Sequence, residues 1–145
     1  MSLLNTVTGD ISFKEENGKL THLTWGSAYE KDASSEKIKA ELSAYFNGKQ
    51  KNFETPLAPE GTELQMKVWD YLLTIPYGEV RTYKDVAQAV GSHPRAVGTA
   101  VGKNPMPIVI PCHRVIASNG KMCGFSGGEG IKTKEILLDL EKRNK

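Results

Sequence analysis

The segment TYKDVAQAVGSHPRAVGTAVGKN, residues 82–104, contains two short helical patterns separated by a turn. The spacing i, i+3, i+4, i+7 marks one face of a helix, and in the first pattern it is occupied by Tyr83, Val86, Ala87 and Val90. The sequence GSHP supplies the turn, and Pro94 suits the first turn of a second helix. Two helices joined by a short glycine-containing turn form the helix-turn-helix pattern, which we predict here.

The second of these helices is rich in small residues. It begins with Arg95 and continues with Ala96, Gly98, Thr99, Ala100 and Gly102. Each glycine costs a helix about 1 kcal/mol relative to alanine, so we expect a close approach of another surface to this helix. A DNA groove, with Arg95 projecting between bases, explains the pattern. Tight packing against another helix explains it equally well.

The chain before this segment divides at NFETPLAPEG, residues 52–61, whose prolines and glycine predict a linker. Earlier still, apolar and polar residues alternate on both sides of Asn17-Gly18, a dipeptide favoured in two-residue hairpin turns. A helical pattern follows at 34–49, with the apolar face Ile38, Leu42, Tyr45 and Phe46. We therefore predict an N-terminal α/β domain, residues 1–59, made of a small antiparallel sheet and a helix.

The part after the linker, residues 60–145, is predicted to be mainly helical. Thr62 and Gln65 have the spacing of a capping box, which indicates the start of a helix. A last helix is expected at about 132–143, with the apolar face Ile136, Leu137 and Leu140. With the helix-turn-helix between them, these helices form a C-terminal domain. The whole chain is thus expected to be an α+β protein in two parts.

The charges are distributed unevenly along the 145 residues. Residues 1–60 carry seven basic and nine acidic side chains, whereas residues 61–145 carry twelve and eight, which gives net charges of −2 and +4. Residues 81–121 contain six basic side chains but only one acidic side chain, Asp85. A basic segment of this kind favours a polyanionic partner.

Composition also excludes several classes of protein. No run of about 18 apolar residues is present, which argues against a membrane span, and the N-terminus lacks the pattern of a signal peptide. We therefore expect a cytoplasmic protein that does not bind a membrane. Two cysteines and three dispersed histidines predict neither a disulfide scaffold nor a zinc site.

Cys112 lies at the end of the apolar run PIVI and directly before His113. A helical turn starting at Pro111 would place the thiol at a helix N-terminus, where backbone N–H groups favour the thiolate. His113 can act as a general base through one water, and Asp139 or Glu141 can orient it. The spacing does not choose between the two carboxylates. It predicts a cysteine enzyme, of which a protease or an amidohydrolase is one form, while Cys123 is expected to be a small buried apolar residue.

The combination of IPCHRV with GKNPMPIV before it and GFSGG and KEILLDLE after it resembles the O6-alkylguanine-DNA alkyltransferase family. The resemblance covers residues 62–145. It implies repair of double-stranded DNA by transfer of the alkyl group of O6-alkylguanine to Cys112, after the damaged base has been flipped out. O4-alkylthymine is a second substrate that it allows. It also implies one turnover per molecule, with no cofactor and no metal.

The resemblance assigns the catalytic roles to individual residues. Cys112 would accept the alkyl group, His113 would help to form the thiolate through a water, and Glu141 rather than Asp139 would orient His113. Asn104 would tie the helix-turn-helix to the active-site segment. Tyr83 would help to rotate the nucleotide and donate a proton toward guanine N3.

The resemblance also implies a set of binding residues. Arg95 would fill the space that the extruded base leaves. Further contacts with DNA would come from Tyr83, Lys84, Ala96, Gly98 and Ser118. The alkylated base would be bound by Val115, Met122, Phe125 and Ser126. Phe125 stands where some family members have tyrosine, so a hydroxyl contact would be lost there.

For the first half, the resemblance implies a ribonuclease H-like arrangement that stabilises the second half and contributes no catalytic residue. A monomer is expected. Two other functions stay open beside alkyl transfer. One is a relative that binds alkylated DNA without transfer, although such relatives replace the acceptor cysteine. The other is a helix-turn-helix transcription regulator, which has no evident use for Cys112, His113 and Glu141.

Overall fold

The computed structural model describes residues 3–6, 9–25, 36–117 and 130–145. In the first half, strands β1 (Leu3–Thr6), β2 (Gly9–Glu16) and β3 (Lys19–Trp25) form an antiparallel sheet in the order β1-β2-β3. The predicted hairpin is confirmed, because Glu16 pairs with Lys19 and the turn residues Asn17 and Gly18 have φ values of 54° and 77°. Positive φ at both central positions is the geometry that Asn-Gly turns favour.

Helix α1 (Glu36–Phe46) follows the sheet and buries three of the four apolar side chains that its spacing predicted, while Phe46 is partly buried. Ile38 and Leu42 are fully buried, and Tyr45 is 1% exposed. The helix is succeeded by a turn in which Gly48 has a φ of 71°. The structure confirms an α/β first half.

The segment predicted as a linker packs against the sheet. Leu57 forms a parallel bridge with Leu20, whose N–H donates to the carbonyl of Pro56 at 2.8 Å. A second contact joins β3 to the active-site half, because the Leu23 N–H donates to the carbonyl of Pro105 at 2.9 Å. Buried apolar side chains from both halves form one cluster. The division into domains 1–59 and 60–145 stays a prediction.

Three helices form the centre of the second half: α2 (Glu63–Leu72), α3 (Tyr83–Val90) and α4 (Pro94–Gly102). The capping box of α2 is confirmed, since Thr62 accepts a hydrogen bond from the Gln65 N–H and Gln65 accepts one from the Thr62 N–H. Gly91 ends α3 in the left-handed conformation, with a φ of 72°. Helix α2 packs on both α3 and α4, and its Trp69 indole N–H donates to the carbonyl of Ala100 at 2.9 Å.

Two short parallel strands bring the start of α3 to the cysteine segment. Strand β4 (Arg81–Thr82) pairs with β5 (Val115–Ile116), so that Arg81 lies opposite Val115. A single 3-10 turn, Cys112–Arg114, precedes β5. The last helix, α5 (Ile131–Arg143), packs against that turn. This arrangement brings the ends of α3 and α5 to the site of the predicted nucleophile.

Candidate active site

Asn104 fixes the loop that leads from α4 to the cysteine. Its side-chain amide donates to the carbonyl of Ile110 at 2.8 Å, and its side-chain oxygen accepts from the Met106 N–H at 3.0 Å. Within this loop Ile108 has a φ of 77°, which is unusual for a β-branched residue, and its side chain is 1% exposed. Burial of that side chain and the Asn104 bonds therefore hold a strained backbone four residues before the predicted nucleophile.

Cys112 lies at the start of the 3-10 turn and is 6% exposed. Burial raises the pKa of its thiol to about 11, although the Asn104 side chain and the Lys134 ammonium act in the opposite direction. The backbone N–H groups at the start of the turn favour the thiolate, as the sequence predicted, but burial has the larger effect on the pKa. A turn of three residues offers few aligned peptide dipoles, and the loss of hydration outweighs them. At neutral pH the thiol keeps its proton.

His113 is fully buried, and its Nε2 lies 2.6 Å from Oε2 of Glu141. Burial lowers the pKa of His113, while the Glu141 carboxylate acts to raise it. In the neutral ring, the hydrogen bond to a carboxylate places the proton on Nε2 and leaves a lone pair on Nδ1. Nδ1 has no hydrogen-bond partner among the residues that the structure describes. His113 is thus arranged to accept a proton at Nδ1.

Glu141, on α5, is 0% exposed and accepts hydrogen bonds on both carboxylate oxygens. Arg114 donates from Nε to Oε1 at 2.7 Å and from Nη2 to Oε2 at 2.9 Å, and its Nη1 donates to the carbonyl of Ile75 at 2.7 Å. Burial disfavours the charged carboxylate, but His113 and Arg114 outweigh it and hold the pKa of Glu141 well below its usual range. Glu141 is therefore an anion paired with a buried cation.

The two carboxylates that the spacing left open have different surroundings. Asp139 is exposed and pairs with Arg143, its neighbour one helical turn along, at 3.1 Å. Only Glu141 of the two contacts His113. Their positions on α5 explain the difference, because residues two apart point to different faces of a helix.

Three residues of this site were not predicted. Arg114 was counted only as part of the basic segment. Tyr45, from α1, donates its hydroxyl to Oε2 of Glu141 at 2.6 Å. Lys134, from α5, is 1% exposed and donates from Nζ to the carbonyl of Val115 at 2.5 Å. From an amphipathic pattern, Tyr45 is interpreted as an apolar core residue and Lys134 as a solvated one. The only signal for Lys134 is its position one turn before the apolar face of α5.

All of the residues predicted to contact DNA except Ser118 lie on α3 and α4. Arg95 and Lys84 are exposed, whereas Tyr83 and Ala96 are half-buried. The nearest described atom to a Cβ built on Gly98 is 4.0 Å away in Tyr83, and a Cβ on Gly102 would meet nothing within 4 Å. Tight helix packing among the described residues therefore does not account for these glycines.

The remaining predicted residues divide into two groups. The side chain of Val115 is fully buried, beside the Lys134 contact. The others lie outside the described residues: Ser118, Met122, Cys123, Phe125 and Ser126. Their roles stay predictions.

Residues 63–143 match the family described as 6-O-methylguanine DNA methyltransferase, DNA binding domain. The chain belongs to this methyltransferase family. The resemblance drawn from IPCHRV and its flanking segments is thereby confirmed. The methylated-DNA–protein-cysteine methyltransferase of Methanosarcina barkeri is 53% identical over 106 residues, which cover 72% of this chain and 66% of that relative. The match thus spans slightly less than two thirds of the relative's length.

Solved structures of the family extend the similarity to the first half. The Mycobacterium tuberculosis O6-methylguanine methyltransferase superposes with a TM-score of 0.89 at 37% identity, over 99% of this chain and 92% of that chain. M. tuberculosis OGT in complex with DNA gives a TM-score of 0.86 at 37% identity, over 98% and 92%. The mixed α/β fold of this methyltransferase family member is therefore shared along nearly its whole length.

The described residues contain neither a membrane-spanning helix nor a metal-binding cluster. None of their helices is long and apolar enough to cross a membrane. Within the same ranges, no three His, Cys, Asp or Glu side chains are grouped so that they could hold a metal ion.

Proposed function

We propose that this protein repairs double-stranded DNA by transferring the alkyl group of O6-alkylguanine irreversibly to Cys112, once per molecule. The observation that carries the proposal is the buried thiol next to a His113–Glu141 pair with an open acceptor at Nδ1. Family membership agrees with it, since the relative from M. barkeri carries the name of a methylated-DNA–protein-cysteine methyltransferase.

In the proposed step the thiolate sulfur of Cys112 forms a bond to the alkyl carbon, and the bond between that carbon and O6 breaks. The thiol proton passes to His113, with one water as the relay. The leaving guanine takes up one proton, which Tyr83 would donate toward N3, and the proton held by His113 then restores the Tyr83 hydroxyl through solvent. Overall, a thiol and an alkylated base become a thioether and guanine. No cofactor is needed for this balance, and the product thioether leaves no thiol for a second turnover.

The buried charges support this role for His113. When His113 accepts the thiol proton it becomes an imidazolium 2.6 Å from the Glu141 carboxylate, which stabilises it. Arg114 also binds this carboxylate, and the positive charge of Arg114 makes the imidazolium form of His113 less stable. A weakly basic imidazole can release this proton again once the thioether has formed.

For the DNA contact, we propose that α3 and α4 act as a helix-turn-helix with α4 entering a groove. Gly98 and Gly102 leave that face of α4 uncovered by described residues, which permits close approach of a nucleic-acid backbone. Arg95 would enter the space left by the flipped base, and Lys84 would contact phosphate. The ribonuclease H-like arrangement of the first half, the monomeric state and the cytoplasmic location remain predictions of this proposal.

Intact-protein mass spectrometry after incubation with a duplex containing one O6-methylguanine tests the transfer. We expect a gain of one methyl group, which saturates at one per protein and maps to the peptide containing Cys112. Tight binding to the same duplex without any mass gain would instead assign the protein to damaged-DNA binding. Strong preference for one undamaged sequence, again without transfer, would point to a transcription regulator.

Replacing Arg95 with alanine is expected to slow repair of a duplex roughly tenfold or more, because flipping costs a few kcal/mol and the wedge offsets part of it. The reaction with free O6-benzylguanine should keep its rate, since no base has to be flipped. Single-turnover rates on both substrates provide the measurement. Lys37→Ala, which removes one exposed positive charge from α1, serves as the charge-matched control. Equal losses on both substrates would contradict the wedge role.

A further inference from the structure

Tyr45 connects the first half of the chain to the buried charges beside the nucleophile. It lies on α1, is 1% exposed, and reaches Glu141, which is 96 residues away in sequence. Its hydroxyl donates to Oε2, the same oxygen that lies 2.6 Å from His113 Nε2 and accepts from Arg114 Nη2. The hydroxyl and the imidazole therefore share one acceptor atom.

We propose that Tyr45 is a positioning residue for alkyl transfer, which fixes Oε2 of Glu141 and thereby limits the basicity of His113. The inference rests on the proposed function. It also gives the first half of the chain a part in the chemistry, whereas the sequence predicted only a stabilising role for that half.

The ring of Tyr45 is held by aromatic neighbours, so its hydroxyl has little freedom to leave the carboxylate. Ring centroids lie 5.3 Å away in Phe46, 5.6 Å in Phe53 and 6.0 Å in Tyr77. Burial and the nearby Glu141 charge raise the pKa of Tyr45 well above its usual value, which keeps the hydroxyl protonated. Tyr45 is thus a hydrogen-bond donor at every pH at which the protein would work.

The charged groups around His113 determine in which direction loss of the Tyr45 hydroxyl would shift the pKa of His113. Glu141 and Lys134 face it from α5, Arg114 from the 3-10 turn, and Tyr45 acts on it through Glu141 from α1. A carboxylate oxygen that loses one of its donors interacts more strongly with those that remain. Removal of the Tyr45 hydroxyl should therefore stabilise the protonated form of His113 and raise its pKa. Because the reaction needs neutral His113, the acidic limb of the rate profile should move to higher pH.

Tyr45→Phe removes the hydroxyl and keeps the ring, and Tyr77→Phe is its matched control. The Tyr77 hydroxyl is also buried beside this cluster but has no hydrogen-bond partner among the described residues. Two readouts apply to both variants: the transfer rate to Cys112 between pH 5 and 9, and the titration of the His113 ring by nitrogen-15 NMR. Variants of His22 and His93, the two other histidines, assign the signal.

For Tyr45→Phe we expect both the acidic limb and the His113 titration to move upward by about one pH unit, the size expected for one hydrogen bond to a charged group. Tyr77→Phe should match the unmodified protein in both. A Tyr45→Phe protein that loses stability but keeps the His113 titration would overturn the positioning role. The titration needs no DNA, so this result is distinct from failure of the wild-type protein to transfer an alkyl group, which would overturn the proposed function.

Discussion

Replacing Cys112 with serine is expected to abolish alkyl transfer and to leave binding to alkylated duplex DNA largely intact. Serine is nearly the same size as cysteine, so the buried site keeps its packing, but its hydroxyl is a far weaker nucleophile at neutral pH. We expect the single-turnover rate to fall by at least about a thousandfold, which corresponds to roughly 4 kcal/mol in the barrier. Mass spectrometry of the Cys112 peptide and fluorescence anisotropy with a labelled duplex measure the two properties separately.

Cys123→Ser is the control for this experiment, because it removes the second cysteine and should keep transfer. Methylation of the Cys112→Ser protein at an unchanged rate would refute the assignment of the acceptor. Loss of DNA binding together with transfer would show instead that the substitution had damaged the fold.

Replacing Glu141 with glutamine should be the most destabilising single change in the site. The amide keeps the shape of the side chain but leaves the Arg114 guanidinium buried without its counter-ion, and it offers a donor where His113 needs an acceptor. Breaking a buried ion pair in this way costs about 3–5 kcal/mol. Transfer to Cys112 should fall on the order of a hundredfold or more, because the histidine loses the group that orients it.

Denaturant unfolding and the reaction with free O6-benzylguanine measure these two effects. Asp139→Asn provides the matched control, since this carboxylate lies on the same helix but is exposed and pairs only with Arg143. An exposed pair of this kind contributes about 0–1 kcal/mol. Equal losses of stability in the two variants would show that the buried ion pair contributes no more to the free energy of unfolding than the exposed one.

The stability that Glu141 contributes, measured against the Glu141→Gln variant, should decrease as the pH is lowered. The pKa of Glu141 is lower in the folded protein than in the unfolded chain, so its ionised form stabilises the fold at every pH above the unfolded value of about 4.3. As the pH falls below that value, this contribution is lost. The difference in the free energy of unfolding between the unmodified protein and Glu141→Gln should therefore be constant near neutral pH and become smaller in acid.

Local features of the fold were predictable because their signals are carried by neighbouring residues. The Asn17-Gly18 turn and the capping box of Thr62 and Gln65 each depend on at most four consecutive positions. The bridge between Leu20 and Leu57 depends on how distant segments pack, and no periodicity marks it. The prolines and glycine of the segment 52–61 predicted a linker, but they do not prevent pairing with a neighbouring strand.

The residues of the candidate site were likewise predicted where a local sequence signal exists and missed where the contact joins distant segments. The Cys112–His113 sequence and the resemblance predicted a nucleophile at Cys112, and the resemblance selected Glu141, the carboxylate that contacts His113 in the structure. The hydroxyl of Tyr45 was missed because helical spacing treats tyrosine as an apolar residue, and its partner is 96 positions away. The raised pKa of the Cys112 thiol was not predicted, because sequence shows the turn that favours a thiolate but not the depth at which the thiol is buried.

The buried thiol of Cys112 has a consequence for how long the protein stays usable. With a pKa of about 11, only a small fraction of the protein carries the thiolate near neutral pH. Peroxides and small alkylating agents react with the thiolate, so we expect them to modify Cys112 slowly. Under the proposed function, in which the acceptor is used once, a thiol that stays protonated is expected to remain available until an alkylated base is bound.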